Sequence, residues 1–195
     1  MKKYILIAGM NGSGKTTFRQ GEDSLKNMLC VDINEIVDGF GDWSSYTDFR
    51  KAEELAVRTA RYFISQEATF LQETTLFDGN VMKTVKEAKK NGYIVEIYYL
   101  CVESSGIIRE RIEKRMSEGG RGALEKDIER EYEKNLTEII HMLSVCDRCF
   151  FFDNTEELVH FATYEKSEKY KEPKWLPNWF KRINQKLLAL TIDEC

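Results

Sequence analysis

Basic residues are not in excess in this chain. Its 195 residues carry 29 Lys and Arg against 33 Asp and Glu, a formal net charge of −4. That balance gives no general attraction to nucleic acid or to an anionic membrane surface, so neither is expected as a partner. No apolar run reaches the ~18–20 residues that would span a bilayer. Met1-Lys2-Lys3 leads into a strand-like segment and not into a cleavable signal pattern, and a cytoplasmic protein is expected. The five cysteines are scattered and odd in number. Reduced thiols follow, with no disulfide framework. Cys146-x-x-Cys149 has no second C-x-x-C to complete a metal site and borders the run Cys149-Phe150-Phe151-Phe152, so small buried core residues are expected there. No internal repeat is present.

A hydrophobic content of 42% is enough for a substantial core, and the length suits one α/β domain plus a tail. The stretch that organises the rest is Gly9-Met10-Asn11-Gly12-Ser13-Gly14-Lys15-Thr16, which has the form G-x-x-x-x-G-K-[ST] of a phosphate-binding loop. Glycines let consecutive backbone N–H groups curl into an anion-binding nest. Gly14 admits a turn into a helix whose N-terminus carries partial positive charge. Lys15 can reach the β- and γ-phosphates of ATP, and the Thr16 hydroxyl can ligate Mg²⁺. Tyr4-Ile5-Leu6-Ile7-Ala8 before the loop reads as a buried parallel strand, and Thr16-Thr17-Phe18-Arg19 as the start of a helix. Gly9, Asn11, Gly12, Ser13, Gly14, Lys15, Thr16 and Thr17 are therefore the expected nucleotide-binding residues.

Further strands end at the same edge. Met28-Leu29-Cys30-Val31-Asp32 places Asp32 at a carboxyl end, where open α/β sheets bind ligands. Asp32 could equally cap the helix that follows, which begins at Ile33 and includes Asn34. Ala68-Thr69-Phe70-Leu71-Gln72-Glu73 is the third expected strand, with Glu73 and then Thr74 at its end. Glu73 could hold a Mg²⁺ water, orient an acceptor or accept backbone N–H groups. Segments 48–66 and 80–90 read as helices, the second closed by Asn91-Gly92. Residues 93–101 form a β-branched and aromatic strand ending in Cys101. No acid follows that strand as a Walker B motif would supply, which points away from a motor ATPase and toward a small-molecule kinase. Phe150-Phe151-Phe152-Asp153 is the fifth strand, and Asp153-Asn154-Thr155 is expected to cap a helix opening with Glu156-Glu157.

The alternation implies a mainly parallel five-stranded sheet between helical layers. Residues 104–117 carry Arg109, Arg111 and Arg115, and a Gly-rich break at 118–122 separates them from a helix over 124–143 with Arg130 and Tyr132. This pair reads as a lid over phosphates at about 104–132, or as a surface whose arginines pair with neighbouring glutamates. A P-loop domain over 1–165 is expected. A linker and an amphipathic tail over 166–195 follow, packing on the domain or on another chain.

The order of motifs resembles the zeta toxin family of P-loop kinases. The resemblance rests on Ala8-Gly9-Met10-Asn11-Gly12-Ser13-Gly14-Lys15-Thr16-Thr17, on Glu73-Thr74-Thr75-Leu76, and on Gly92-Tyr93. It rests also on Arg111-Ile112-x-x-Arg115-Met116-x-x-Gly119-Gly120, on Ile128-x-Arg130-x-Tyr132, and on Asp153-Asn154-Thr155. It implies ATP-dependent phosphorylation of a hydroxyl of UDP-N-acetylglucosamine, in a toxin–antitoxin setting with an antitoxin protein as possible partner. In that scheme Lys15 and Thr16 hold ATP and Mg²⁺. Arg115 and Arg130 stabilise the transferring phosphoryl group, an acid after the second strand takes the acceptor proton, and Asn34, Glu73 and Thr74 meet the acceptor. Two positions depart from the family. Arg121 stands where many members have His. Asn34, which cannot act as a base, stands where the family acid falls, leaving Asp32 two residues earlier for the role.

Overall fold

A computed structural model describes residues 1–77, 79–122, 127–168 and 170–190. Its centre is a sheet of six strands in the order β2-β3-β1-β4-β5-β6. The strands are β1 (Lys3–Ala8), β2 (Leu29–Asp32), β3 (Phe70–Thr74), β4 (Ile94–Cys101), β5 (Arg148–Asp153) and β6 (Val159–Glu165). The first five run parallel, while β6 pairs antiparallel with β5.

The helices are α1 (Lys15–Gly21), α2 (Ile33–Asp38), α3 (Tyr46–Ser65), α4 (Gly79–Lys90), α5 (Ser105–Ser117), α6 (Ile128–Leu143) and α7 (Lys181–Leu190), with a 3-10 turn at Asn178–Phe180. Four start where a short polar side chain accepts from a first-turn N–H: Asp32 before α2, Ser45 before α3, Ser104 before α5 and Asp127 before α6. Residues 123–126, part of the span expected as helix from Leu124, lie outside the described residues.

One expectation is corrected. The sheet has six strands, not five, because the segment after Asp153 is a strand and not a helix. Val159-His160-Phe161-Ala162-Thr163-Tyr164 is dense in β-branched and aromatic residues, and that preference outweighs the helix-start signal of Glu156-Glu157. The buried stripe of α3 is Ala52, Ala56, Ala60 and Ile64. Leu55, one position off that stripe, is exposed. The stripe follows a four-residue step, alanine at three of its positions and isoleucine at the fourth.

β1 is the hub, paired on one side with β3 and on the other with β4. Its residues Tyr4 to Ala8 are buried on both faces, which is why that run is continuously apolar. Cys101, Cys146 and Cys149 are all buried in the main core. Trp179, Phe180, Ile183 and Leu187 from the C-terminal segment join the same core. No helix of the described residues is long and apolar enough to cross a membrane.

Candidate active site

The loop between β1 and α1 is shaped by close approaches as well as by its own turns. Gly9 and Gly14 have φ of 145° and 98°. A Cβ at Gly9 would overlap the Leu100 carbonyl oxygen of β4, and one at Gly14 would overlap the side-chain amide of Asn154. Lys15 opens α1 and lies across the loop. Its Nζ donates to the carbonyls of Gly9 at 2.9 Å and Met10 at 3.0 Å.

The outer side of the loop is braced from two distant elements. Asn154, just past β5, donates its Nδ2 to Ser13 O at 2.8 Å. Arg111, on α5, donates to Gly12 O at 3.4 Å, Asn154 O at 2.7 Å and Thr155 O at 3.1 Å. Sequence reasoning grouped Arg111 with the lid cations. In the structure it holds loop carbonyls together.

On the inner side stand two acids. Asp32 and Glu73 end adjacent strands in direct register, and each is only 4% exposed. Glu73 Oε2 accepts from Thr16 Oγ1 at 2.8 Å, and Oε1 lies 2.8 Å from Arg19 Nε. Burial, then the charge of Asp32, raises the Glu73 carboxyl above its ordinary value, while Lys15, Thr16 and Arg19 pull the other way. Asp32 caps α2, its Oδ1 accepting from Asn34 N at 2.9 Å, and the residue also lines a cavity.

This arrangement corrects the Walker B argument. β1 is flanked not only by the β4 that ends in Cys101 but also by β3. The acid of β3, Glu73, is the group that meets the Thr16 hydroxyl. Chain order concealed that neighbour because β3 and β4 flank β1 on opposite sides.

A cavity of about 570 Å³ opens beside the acids. Of the residues expected at the site it brings together Asn11, Lys15, Asp32, Asn34, Glu73, Thr74 and Arg130. Gly9, Gly12, Ser13, Gly14, Thr16 and Thr17 lie in the loop and first helical turn, off the cavity wall. Arg115 is also off the wall, and its Nη2 donates to Gly122 O at 3.1 Å, so it holds the turn that follows α5. Arg130 sits at the rim with its side chain 75% exposed.

Sequence reasoning missed the opposite wall, formed by Trp43, Tyr46, Phe49, Arg50, Glu53, Phe77 and Arg121. The signals available were a tryptophan in the Gly-rich loop 39–45 and aromatic residues in the first turn of α3. The segment after α5 meets this wall directly. A Cβ at Gly122 would lie 2.9 Å from the Trp43 ring, and Arg121 Nη1 is 3.0 Å from Asp38 Oδ2.

Among the described residues no group of three or more His, Cys, Asp or Glu side chains could hold a metal ion. The donors at the loop are all oxygens: the Thr16 hydroxyl and the Glu73 and Asp32 carboxylates. Two buried like charges beside a hydroxyl suit a hard divalent cation that takes its other ligands from phosphate and water.

Residues 1–165 match the zeta toxin family. An uncharacterized protein of Haemophilus influenzae is 28% identical over 131 residues, 67% of this chain and 92% of its own length. The structure of the PezAT chromosomal toxin-antitoxin system of the human pathogen Streptococcus pneumoniae superposes with a TM-score of 0.59 at 14% identity. That match covers 99% of this chain and 88% of the other. The complex AvrRxo1-ORF1:-ORF2 with ATP superposes with a TM-score of 0.64, also at 14% identity, over 99% of this chain and 76% of the other. At such identity the superpositions establish the fold. Joined to the family match over residues 1–165, they place this chain in the zeta toxin family of P-loop kinases, as a phosphotransferase.

Proposed function

We propose that this chain transfers the γ-phosphate of ATP to a hydroxyl of a nucleotide sugar such as UDP-N-acetylglucosamine. The observation that carries the reading is that Lys15 of the phosphate loop and Asp32 of β2 line one cavity of about 570 Å³. A phosphate donor and a hydroxyl acceptor can therefore meet between a cation and a base.

In the reaction, Lys15 gives up the Gly9 and Met10 carbonyls for the β- and γ-phosphate oxygens. Asp32 accepts the acceptor's hydroxyl proton as its oxygen bonds to the γ-phosphorus. The bond from that phosphorus to the bridging oxygen breaks, and ADP leaves. Thr16 and Glu73 would hold Mg²⁺, which supplies neutralisation of phosphate charge when bound. Arg130 at the rim and Arg115 behind the lid turn are the cations available to the phosphoryl group in transit.

The wall of Trp43, Tyr46, Phe49 and Phe77 offers flat apolar faces to a base. Arg50 and Arg121 offer charge to a diphosphate, and Asn34 and Glu53 offer hydrogen bonds to a sugar. On this reading residues 1–165 are the catalytic domain with a lid at about 104–132, and 166–195 are a linker and tail. The protein works in the cytoplasm, where its ATP is, and an antitoxin protein is its partner.

Asn34 favours a second reading, a nucleotide-binding module with weak phosphotransfer, because it replaces the family acid. ADP release measured against a panel of sugar nucleotides separates the two. Acceptor-stimulated turnover selects the kinase, and tight ATP binding with no acceptor effect selects the module.

A further inference from the structure

We propose that Trp179, which lies beyond the span matched by the family, is a positioning residue for the nucleotide loop. This rests on the reading of that loop as a nucleotide site. The indole Nε1–H donates to Asp153 Oδ1 at 2.8 Å. Both residues are buried, at 5% and 7% exposure. Asp153 in turn folds the segment after β5 into a tight turn. Oδ1 also accepts from Thr155 Oγ1 at 2.8 Å, and Oδ2 from Thr155 N at 3.4 Å. The residue enclosed by that turn is Asn154, whose Nδ2 holds Ser13 O at 2.8 Å.

Every link in this path has a steric or polar reason to be tight. Asn154 N donates to Cys101 O at 2.8 Å, which fixes its backbone to the end of β4. Its side chain approaches the loop so closely that only glycine fits at position 14. Trp179 itself is wedged against Tyr99 and Phe161, with ring centroids 5.9 Å and 5.6 Å away. Phe180, Ile183 and Leu187 anchor the helix behind it with no exposed surface. A buried carboxylate that loses a donor must find another or move. Here the movement is handed to Asn154 and so to the loop carbonyl at Ser13.

The substitution that isolates this role is Trp179→Phe, which keeps an aromatic ring in the pocket and removes the N–H. Ile183→Val loosens the same helix without touching Asp153 and serves as the control. Two measurements are made on the full chain: amide hydrogen exchange of residues 9–16 without ligand, and binding of ADP by calorimetry. Trp179→Phe is expected to speed exchange in residues 9–16 and to weaken ADP binding about fivefold. Ile183→Val is expected to leave both unchanged. Unchanged exchange and affinity in Trp179→Phe overturns the proposal, as does an equal effect in Ile183→Val. A wild-type chain that does not bind ADP overturns the nucleotide reading and this proposal with it. Binding that is intact in wild type and indifferent to Trp179→Phe overturns this proposal alone.

Discussion

Asp32 and Glu73 face each other across the β2–β3 pairing, two nearly buried acids at the carboxyl edge of the sheet. They are held differently. Glu73 is engaged by Thr16 and Arg19, while Asp32 gives one oxygen to the backbone of Asn34. On that difference rest the roles proposed for them, Glu73 at the cation and Asp32 at the acceptor hydroxyl.

Asp32→Asn should abolish acceptor phosphorylation while ATP still binds. An asparagine side-chain oxygen can still accept from Asn34 N, so the cap of α2 survives and thermal stability changes little. A loss of about 10²–10⁴ in turnover is expected for removal of a general base. Full turnover in a folded variant would reassign the base.

Asn34→Asp should raise phosphorylation of UDP-N-acetylglucosamine, because it restores an acid where the family has one, on the wall of the same cavity. Turnover of that compound in both proteins decides it. No change, together with an active Asp32→Asn, would detach this chain from the family mechanism.

Lys15→Ala should weaken nucleotide binding about 10- to 100-fold, the scale of a charged hydrogen bond. The fold should remain, since Lys15 holds loop carbonyls and is no part of the apolar core. ATP titration and a melting curve test both halves. Unchanged affinity would remove the loop from the proposed site.

Arg130→Ala should lower turnover about 10³-fold or more with no loss of stability, because its side chain is 75% exposed. Arg115→Ala should lower turnover and also loosen the lid turn that it holds through Gly122 O. Turnover, ATP affinity and melting temperature together separate them. Wild-type turnover in Arg130→Ala would leave it a rim residue only.

Glu73 sets a pH dependence with a definite sign. Its carboxyl is raised above the ordinary 4.5 by burial and by Asp32. The folded state therefore holds that proton to higher pH than the unfolded chain, and stability falls as pH rises from 4.5 through the raised value. Glu73→Gln should flatten that part of the stability–pH curve. Melting temperatures of the two proteins across this window check it, and parallel curves would mean that Arg19 and Thr16 fully compensate the burial.

The phosphate-loop motif and five of the six strands were legible in the sequence because their signals are local. The glycine spacing, the apolar run of β1 and the aromatic strand β4 each announce themselves within ten residues. What was not legible depends on neighbours that chain order hides. Glu73 meets Thr16 only because β3 inserts beside β1. Trp43 and Phe49 become a cavity wall only because the loop 39–45 and α3 lie across from the acids. Strand β6 was missed for a different reason. Glu156-Glu157 imitates a helix start, while pairing along β5 rewards the β-branched and aromatic residues that follow.

The link from Asn154 to Ser13 spans 141 residues of chain. It has a consequence for the order of events during synthesis. Gly9 to Thr16 emerge well before their brace at Asn154 and its support at Trp179. At about 5–20 residues per second the interval is roughly 8–33 s. Through that time β1, β3 and β4 can pair, but the loop between β1 and α1 lacks its outer clamp. On the proposed reading, the nascent chain gains its full nucleotide affinity only once Trp179 has docked.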